Sequence, residues 1–295
     1  MRSIAEFLSH DNYVLGMLFS PDGNWLVSSG MDKRIMLWSA ADWQLSHSFQ
    51  AHNNSVNAIS LSPDGKILAS VSTDTTVRLW DFPDANLRYT LQDRRKVVSV
   101  VSISPDGGVV ASGSYGGRVA LWTLVGEPLA AWQTPHKNIA GLVYTPDGRT
   151  LATCGLGELI CLWDPSSGQE TMKILGHATA VYGLRFIEGG SRLVSWGYDQ
   201  VVRFWDLASG ENVSSYSYAG GAQANGLRGL NFSADEQLLA VSLDSRVQVR
   251  RTRDWELLAE LPVGTRVING MAFSPDGRLL AAGAADRKIR IWQLD

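Results

Sequence analysis

Residues 52–81 read HNNSVNAISLSPDGKILASVSTDTTVRLWD, and their punctuation decides the fold. Val56-Asn57-Ala58-Ile59-Ser60-Leu61 and Ile67-Leu68-Ala69-Ser70-Val71 are short, β-rich runs bounded by turn residues. Between them stands Ser62-Pro63-Asp64-Gly65, in which Pro presets φ at the second position of a type I turn and Gly suits the fourth. The following run, Thr76-Val77-Arg78-Leu79-Trp80-Asp81, alternates Val77 and Leu79 on one face with Arg78 and Trp80 on the other. The unit therefore reads strand, tight turn, strand, turn, strand, with no sustained helical period.

Outward from this stretch the same unit repeats. The turn recurs at Ser20-Pro21-Asp22-Gly23, Ser104-Pro105-Asp106-Gly107, Thr145-Pro146-Asp147-Gly148 and Ser274-Pro275-Asp276-Gly277. Degraded copies stand at Glu188-Gly189-Gly190 and Ser233-Ala234-Asp235-Glu236. Trp38, Trp80, Trp122, Trp163, Trp205 and Trp292 are spaced 42, 42, 41, 42 and 87 residues apart, with Arg250 inside the double step. A period of about 40–45 residues marks four-stranded propeller blades. Seven periods use nearly all of the 295 residues. The sequence thus predicts an all-β, seven-bladed β-propeller of four-stranded antiparallel blades, a single domain over residues 1–295.

The last period ends on its third strand, at Ile289-Arg290-Ile291-Trp292. Residues Ser3 to His10 resemble the outer strand that precedes other units, such as Thr171 to His177. The segment of about residues 3–9 is therefore predicted to complete blade 7 (about residues 265–295), which removes an open edge that would invite aggregation.

Composition excludes several classes. A formal charge of −3 and a pI near 6.0 give no basic field for non-specific nucleic-acid binding. No apolar run approaches the roughly 20 residues of a membrane helix, and the opening Met1-Arg2-Ser3-Ile4-Ala5-Glu6-Phe7-Leu8 lacks a signal-peptide core. The two cysteines, Cys154 and Cys161, are too few for a disulfide framework or a zinc site. A cytoplasmic monomer is the expectation.

Trp80-Asp81, Trp163-Asp164 and Trp205-Asp206, with Gly176-His177, resemble the marks of the WD-repeat β-propellers over the whole chain. By that resemblance His10, Ser28, Asp32 and Trp38 form a structural tetrad, as do His52, Ser70, Asp74 and Trp80, and His177, Ser195, Asp199 and Trp205. Read in isolation, these sets look like Ser-His-Asp triads; their recurrence once per blade argues for a structural role. Other blades depart from the pattern, with Arg94 for His and Gly116 for Asp in blade 3, Gly157 for Asp in blade 4, Ala240 and Ala282 for Ser in blades 6 and 7, and Arg250 for Trp in blade 6. Arg250 is expected to pair with Asp244 or to stack on an aromatic ring as a substitute lock. Trp43 and Trp255 are expected to pack on blade flanks.

The resemblance also implies three upper-face positions per blade. Two flank the apolar residue that opens the inner strand, and one precedes the turn Asp. Blade by blade these are Tyr13, Leu15, Met31; Ser55, Asn57, Thr73; Val97, Ser99, Tyr115; Asn138, Ala140, Leu156; Ala180, Tyr182, Tyr198; Gly226, Arg228, Leu243; and Val267, Asn269, Ala285. None is Asp, Glu, His or Cys, so the set supplies no metal ligands and none of the usual acid–base groups. No catalytic residue, metal or cofactor is expected. Tyr and Arg are hot-spot residues and Met adapts to varied partners. The partner-binding candidates are therefore Tyr13, Leu15, Met31, Asn57, Thr73, Tyr115, Asn138, Tyr182, Tyr198, Arg228 and Asn269. They point to a non-enzymatic scaffold that docks a protein or peptide on the upper rim, with no direct nucleic-acid or membrane contact. The alternatives are a propeller enzyme of metal-dependent lactonase or hydrolase type, which needs an acidic or His cluster in the channel, and a subunit of a nucleic-acid-associated complex. Two loops carry less weight, the basic Asp93-Arg94-Arg95-Lys96 and the small, flexible Gly220 to Gly226, which lacks a phosphate-loop Lys.

Overall fold

A computed structural model describes residues 1–92, 96–218, 227, 229–264 and 267–294. Each period folds as a four-stranded antiparallel sheet, giving seven sheets in all. Blade 1 has strands Val14–Phe19, Trp25–Gly30, Arg34–Ser39 and Leu45–Gln50, hydrogen-bonded in that order. The order is kept through blade 6. The first strands of neighbouring blades touch one another, so they line the centre of the ring and the fourth strands lie outermost.

Local chemistry fixes each hairpin. In the Ser-Pro-Asp-Gly turns the Gly N–H donates to the Ser carbonyl at 2.9 Å, as at Gly23 and Ser20. The Asp carboxylate accepts from the Ser hydroxyl and from the backbone two residues on. The turn glycines at 23, 65, 107, 148 and 277 have φ between 68° and 74°, the left-handed region that costs a residue with Cβ about 1–2 kcal/mol. The degraded turn of blade 6 places Glu236 there, at φ 59°.

The core lies between blades rather than inside them. Alternation sends one face of each sheet to the blade before and the other to the blade after. Accordingly the described residues form seven apolar clusters, one per interface. The cluster joining blades 2 and 3, for example, packs Val71, Leu79 and Leu91 against Val101, Val110 and Trp122. At the centre the inner strands come closer than a side chain allows. A Cβ on Gly270 would lie 3.0 Å from the Met17 Cγ and 3.2 Å from the Gly16 backbone.

Blade 7 draws on both ends of the chain. Its strands are Ile268–Phe273, Leu279–Ala284, Lys288–Gln293 and, on the outside, Arg2–Leu8. The last two run antiparallel with Glu6 opposite Arg290 and Phe7 opposite Ile289. Phe7 also packs on Trp38 of blade 1, with ring centroids 4.7 Å apart. The ring is closed by the first residues, as the strand count required.

Candidate functional site

Three complete tetrads are assembled. In blade 5, His177 Nδ1 lies 2.8 Å from Asp199 and Nε2 lies 2.8 Å from Ser195 Oγ, which accepts from the Trp205 indole N–H at 2.8 Å. Blade 1 repeats the chain through His10, Asp32, Ser28 and Trp38, with contacts of 2.9, 2.9 and 3.0 Å. Blade 2 does so through His52, Asp74, Ser70 and Trp80, at 3.0, 2.8 and 2.9 Å. A neutral imidazole protonated at Nδ1 donates to the Asp and accepts from the Ser, so every member is satisfied. Ser28, Ser70 and Ser195 are fully buried. A hydroxyl that holds an indole N–H inside the core cannot meet a substrate, which removes these sets as nucleophilic sites.

The partial sets divide by what replaces the missing group. In blade 4 Thr153 serves for Ser, 3.1 Å from His136 Nε2, and accepts from Trp163 at 2.8 Å. In blade 3 Ser112 turns to the Ala120 carbonyl. The Trp122 indole N–H is then buried with no partner among the described residues. Arg94 lies outside the described residues.

The rim positions cluster as pairs. The residue before the turn Asp donates its N–H to the carbonyl of the residue before the inner strand. This joins Met31 to Tyr13, Thr73 to Ser55, Tyr115 to Val97, Leu156 to Asn138, Tyr198 to Ala180 and Ala285 to Val267, at 2.8–3.2 Å. These pairs sit where first strands begin and second strands end, which puts them on one face of the ring, opposite the Pro-Asp-Gly turns. Tyr13, Met31, Tyr115, Leu156 and Tyr198 are exposed there. Tyr115, Leu156 and Tyr198 occupy the same position in three successive blades, at 46, 46 and 47% exposure, and so set an arc of large exposed side chains on this face. Tyr182, half-buried, meets Tyr198 edge-on at 6.3 Å. Leu15 faces the channel instead, with Met17, Trp196 and Met271.

Other candidates bond within the protein. Asn57 donates to the Val98 carbonyl at 2.8 Å and Asn269 to the Val14 carbonyl at 3.1 Å. Ser99 makes the equivalent bond to Ile139 at 2.5 Å. Each ties the inner strand of one blade to the next. The Thr73 hydroxyl donates to Asn57 Oδ1 at 3.2 Å, and Asn138 Oδ1 accepts from Gly116 N–H at 3.3 Å. Arg228 and Gly226 lie outside the described residues, as does the loop around Gly220. Among the described residues no three metal-ligating side chains converge, and no helix is long and apolar enough to cross a membrane.

Comparison with known proteins places this geometry in a family. The family model described as IFT122 first beta-propeller matches residues 13–223, and the model described as WD domain, G-beta repeat matches residues 255–293. The chain belongs to the WD-repeat β-propeller family. A relative, the uncharacterized WD repeat-containing protein sll1491 of Synechocystis sp., is 40% identical over 77 residues. That segment covers 26% of this chain and 22% of the relative.

Two blades of this WD-repeat propeller, 6 and 7, carry an arginine close to where a tetrad is incomplete. In blade 6 Arg250 does not reach Asp244. Its guanidinium donates to the Trp255 carbonyl at 2.8 Å and to Gln248 at 2.8 and 3.2 Å, and lies 5.5 Å from the Tyr218 ring centre. Trp255 instead stacks on Tyr216 at 3.9 Å, packing the flank between blades 5 and 6. Trp43 packs in the same way on blade 1.

Blade 7 holds the substitute that the sequence did not announce. Gly264 stands where the His would be, and its Cβ position is 3.9 Å from the Arg290 guanidinium. Arg290, only 7% exposed, pairs with Asp286 at 2.6 Å and with Glu6 at 2.9 Å. One cation thus replaces the His and also clamps the closing strand. Removing one partner of a buried pair costs about 3–5 kcal/mol, and the partial exposure of both carboxylates lowers this. Arg290→Met is expected to cost about 2–3 kcal/mol in urea unfolding, and Glu6→Gln, whose carboxylate is half-exposed and which leaves the Arg290–Asp286 pair in place, under about 1 kcal/mol. Equal costs for the two would show that Arg290 acts through Glu6 alone.

Proposed function

We propose that this protein is a non-enzymatic scaffold that docks a protein or peptide on its upper rim. The observation that carries the reading is the arc of Tyr115, Leu156 and Tyr198 across blades 3 to 5. Exposed aromatic and aliphatic groups on a rigid platform are what a hot-spot cluster needs, because little side-chain entropy is lost on docking. Tyr13 and Met31 extend the surface on blade 1. Asn57, Thr73, Asn138 and Asn269 serve chiefly to hold the rim in shape. The buried serines of the tetrads and an upper-face set without acid, base or metal-ligating residues support a role without chemistry. A reducing, cytoplasmic setting fits Cys154 and Cys161, which are buried free thiols. Burial pushes both thiols up, Cys161 to about 12, which makes them unreactive.

The test is affinity capture from lysate of the source cells, with Tyr115→Ala/Leu156→Ala/Tyr198→Ala compared with wild type at matched melting temperature. A partner held by wild type should be reduced at least about tenfold in the variant, the loss of a single hot-spot contact. Retention of the same partner at the same level by both proteins moves docking away from this face.

A further inference from the structure

The arc of Tyr115, Leu156 and Tyr198 crosses the part of the upper face where the turn loses its acid. In five blades the residue after the upper-face position of the turn is Asp32, Asp74, Asp199, Asp244 or Asp286. In blades 3 and 4 it is Gly116 and Gly157. Each replacement removes a carboxylate and its side chain together. A Cβ on either glycine would meet nothing within 4 Å, so each leaves an open step beside the exposed Tyr115 or Leu156.

The same two blades carry a lysine on the loop that enters the inner strand. Lys96 precedes Val97, whose carbonyl accepts the Tyr115 N–H at 2.8 Å. Lys137 precedes Asn138, whose carbonyl accepts the Leu156 N–H at 3.0 Å. The Lys137 carbonyl accepts the Gly116 N–H at 2.6 Å, and Tyr115 forms a β-bridge with Asn138. The backbone thus sets Lys137 between Tyr115 and Leu156, and Lys96 next to Tyr115 within blade 3. At this step blades 1, 2 and 5 have the uncharged Asn12, Asn54 and Thr179. Both lysines are exposed, and neither enters an ion pair among the described residues. The other charges on the described upper turns of blades 3 and 4 are Arg118 and Glu158, so this stretch is net positive in a chain of net charge −3. Asp199, beside Tyr198, is offset by Arg203 at 2.7 Å.

We infer that the docking face proposed above takes an acidic peptide, its apolar side chains on Tyr115, Leu156 and Tyr198 and its carboxylates facing Lys96 and Lys137. The inference rests on that face being the docking surface and adds the chemistry of its occupant. The open steps at Gly116 and Gly157 give the peptide main chain room to approach the ring. Exposed lysines beside such a surface chiefly speed association and reject basic partners, and salt screens them.

Selection of a displayed library of random linear peptides on the full chain, followed by fluorescence polarisation of the selected peptides, tests this. An excess of Asp and Glu beside apolar residues is expected. Lys96→Glu/Lys137→Glu, at matched melting temperature, should weaken these peptides at least about tenfold, mostly through slower association. Raising NaCl from about 50 to about 500 mM should weaken them on the wild type and not on the lysine variant. Tyr115→Ala/Leu156→Ala/Tyr198→Ala should abolish binding of the same peptides. Peptides that need those three residues but show no acidic excess, or that bind the lysine variant as tightly as the wild type, overturn the inference and leave the docking face standing. A library that yields no peptide dependent on the arc removes both.

Discussion

Deleting residues 1–9 should cost about 5 kcal/mol or more and replace the single unfolding transition with a broader one at lower temperature. The removed segment supplies the outer strand of blade 7, pairing residue by residue with Lys288–Gln293. With it go Phe7, whose ring packs on Trp38, and Glu6, which is bonded to Lys288 and Arg290. The Lys288–Gln293 strand becomes an edge with unpaired N–H and C=O groups, a template for pairing with another copy. Calorimetry would show the lower transition, and gel filtration would show concentration-dependent dimers. Adding a synthetic peptide of residues 1–9 should restore both properties. A truncated protein with the wild-type melting curve would mean that the last blade stands on three strands.

The second large effect is a loss of stability in mild acid. Burial drives the imidazoles of His52 and His136 down to about 4 from the usual 6.5. The unfolded chain takes up these protons as the pH falls below 6.5, and the folded chain does so only near pH 4. The stability they contribute is therefore whole above pH 6.5 and is lost progressively as the pH falls toward 4. Each histidine accounts for about 3 kcal/mol over that window, a large fraction of the total for an ordinary domain. Asp199 adds nothing there. Burial pushes its carboxyl up, but hydrogen bonds from His177 and Arg203 outweigh this and hold it at about 2, so its contribution is lost only at lower pH. Urea midpoints at pH 7 and pH 4 should differ strongly, and His136→Asn should remove about half of the difference. A midpoint that is flat across the interval would show that the unfolded-state protons are not what drives it.

The fold was legible because it repeats. A turn such as Ser62-Pro63-Asp64-Gly65 is a weak signal alone, and five copies in register are decisive. The tetrads were legible for the same reason, since His, Ser, Asp and Trp recur at fixed spacing within one blade. What escaped reading crosses a blade boundary. Asn57 bonds Val98, 41 residues away, and nothing local distinguishes such an Asn from a docking residue. Arg290 stands at the same step of its strand as Arg78 and Arg203, and only the fold brings it to Asp286 and Glu6 together. Leu156 counts in the sequence among the upper-face positions but not among the docking candidates, and only the structure shows it as exposed as Tyr115 and Tyr198.

The closing strand also sets an order of events during synthesis. Six blades are built from strands within about forty residues of one another, so each can form as its own segment leaves the ribosome. The first strand emerges before any of them, yet its partner, Lys288–Gln293, emerges only after all six. Until then it has no sheet to join, and the adjoining flank of blade 1 is uncovered. Joining ends that are nearly 300 residues apart costs only about 2 kcal/mol more loop entropy than closing a 30-residue loop, and the six finished blades reduce even that by holding the ends near each other. The delay is therefore a matter of waiting rather than of searching. A ribosome paused before residue 288 carries an open arc, and emergence of the Lys288–Gln293 strand converts it to a ring.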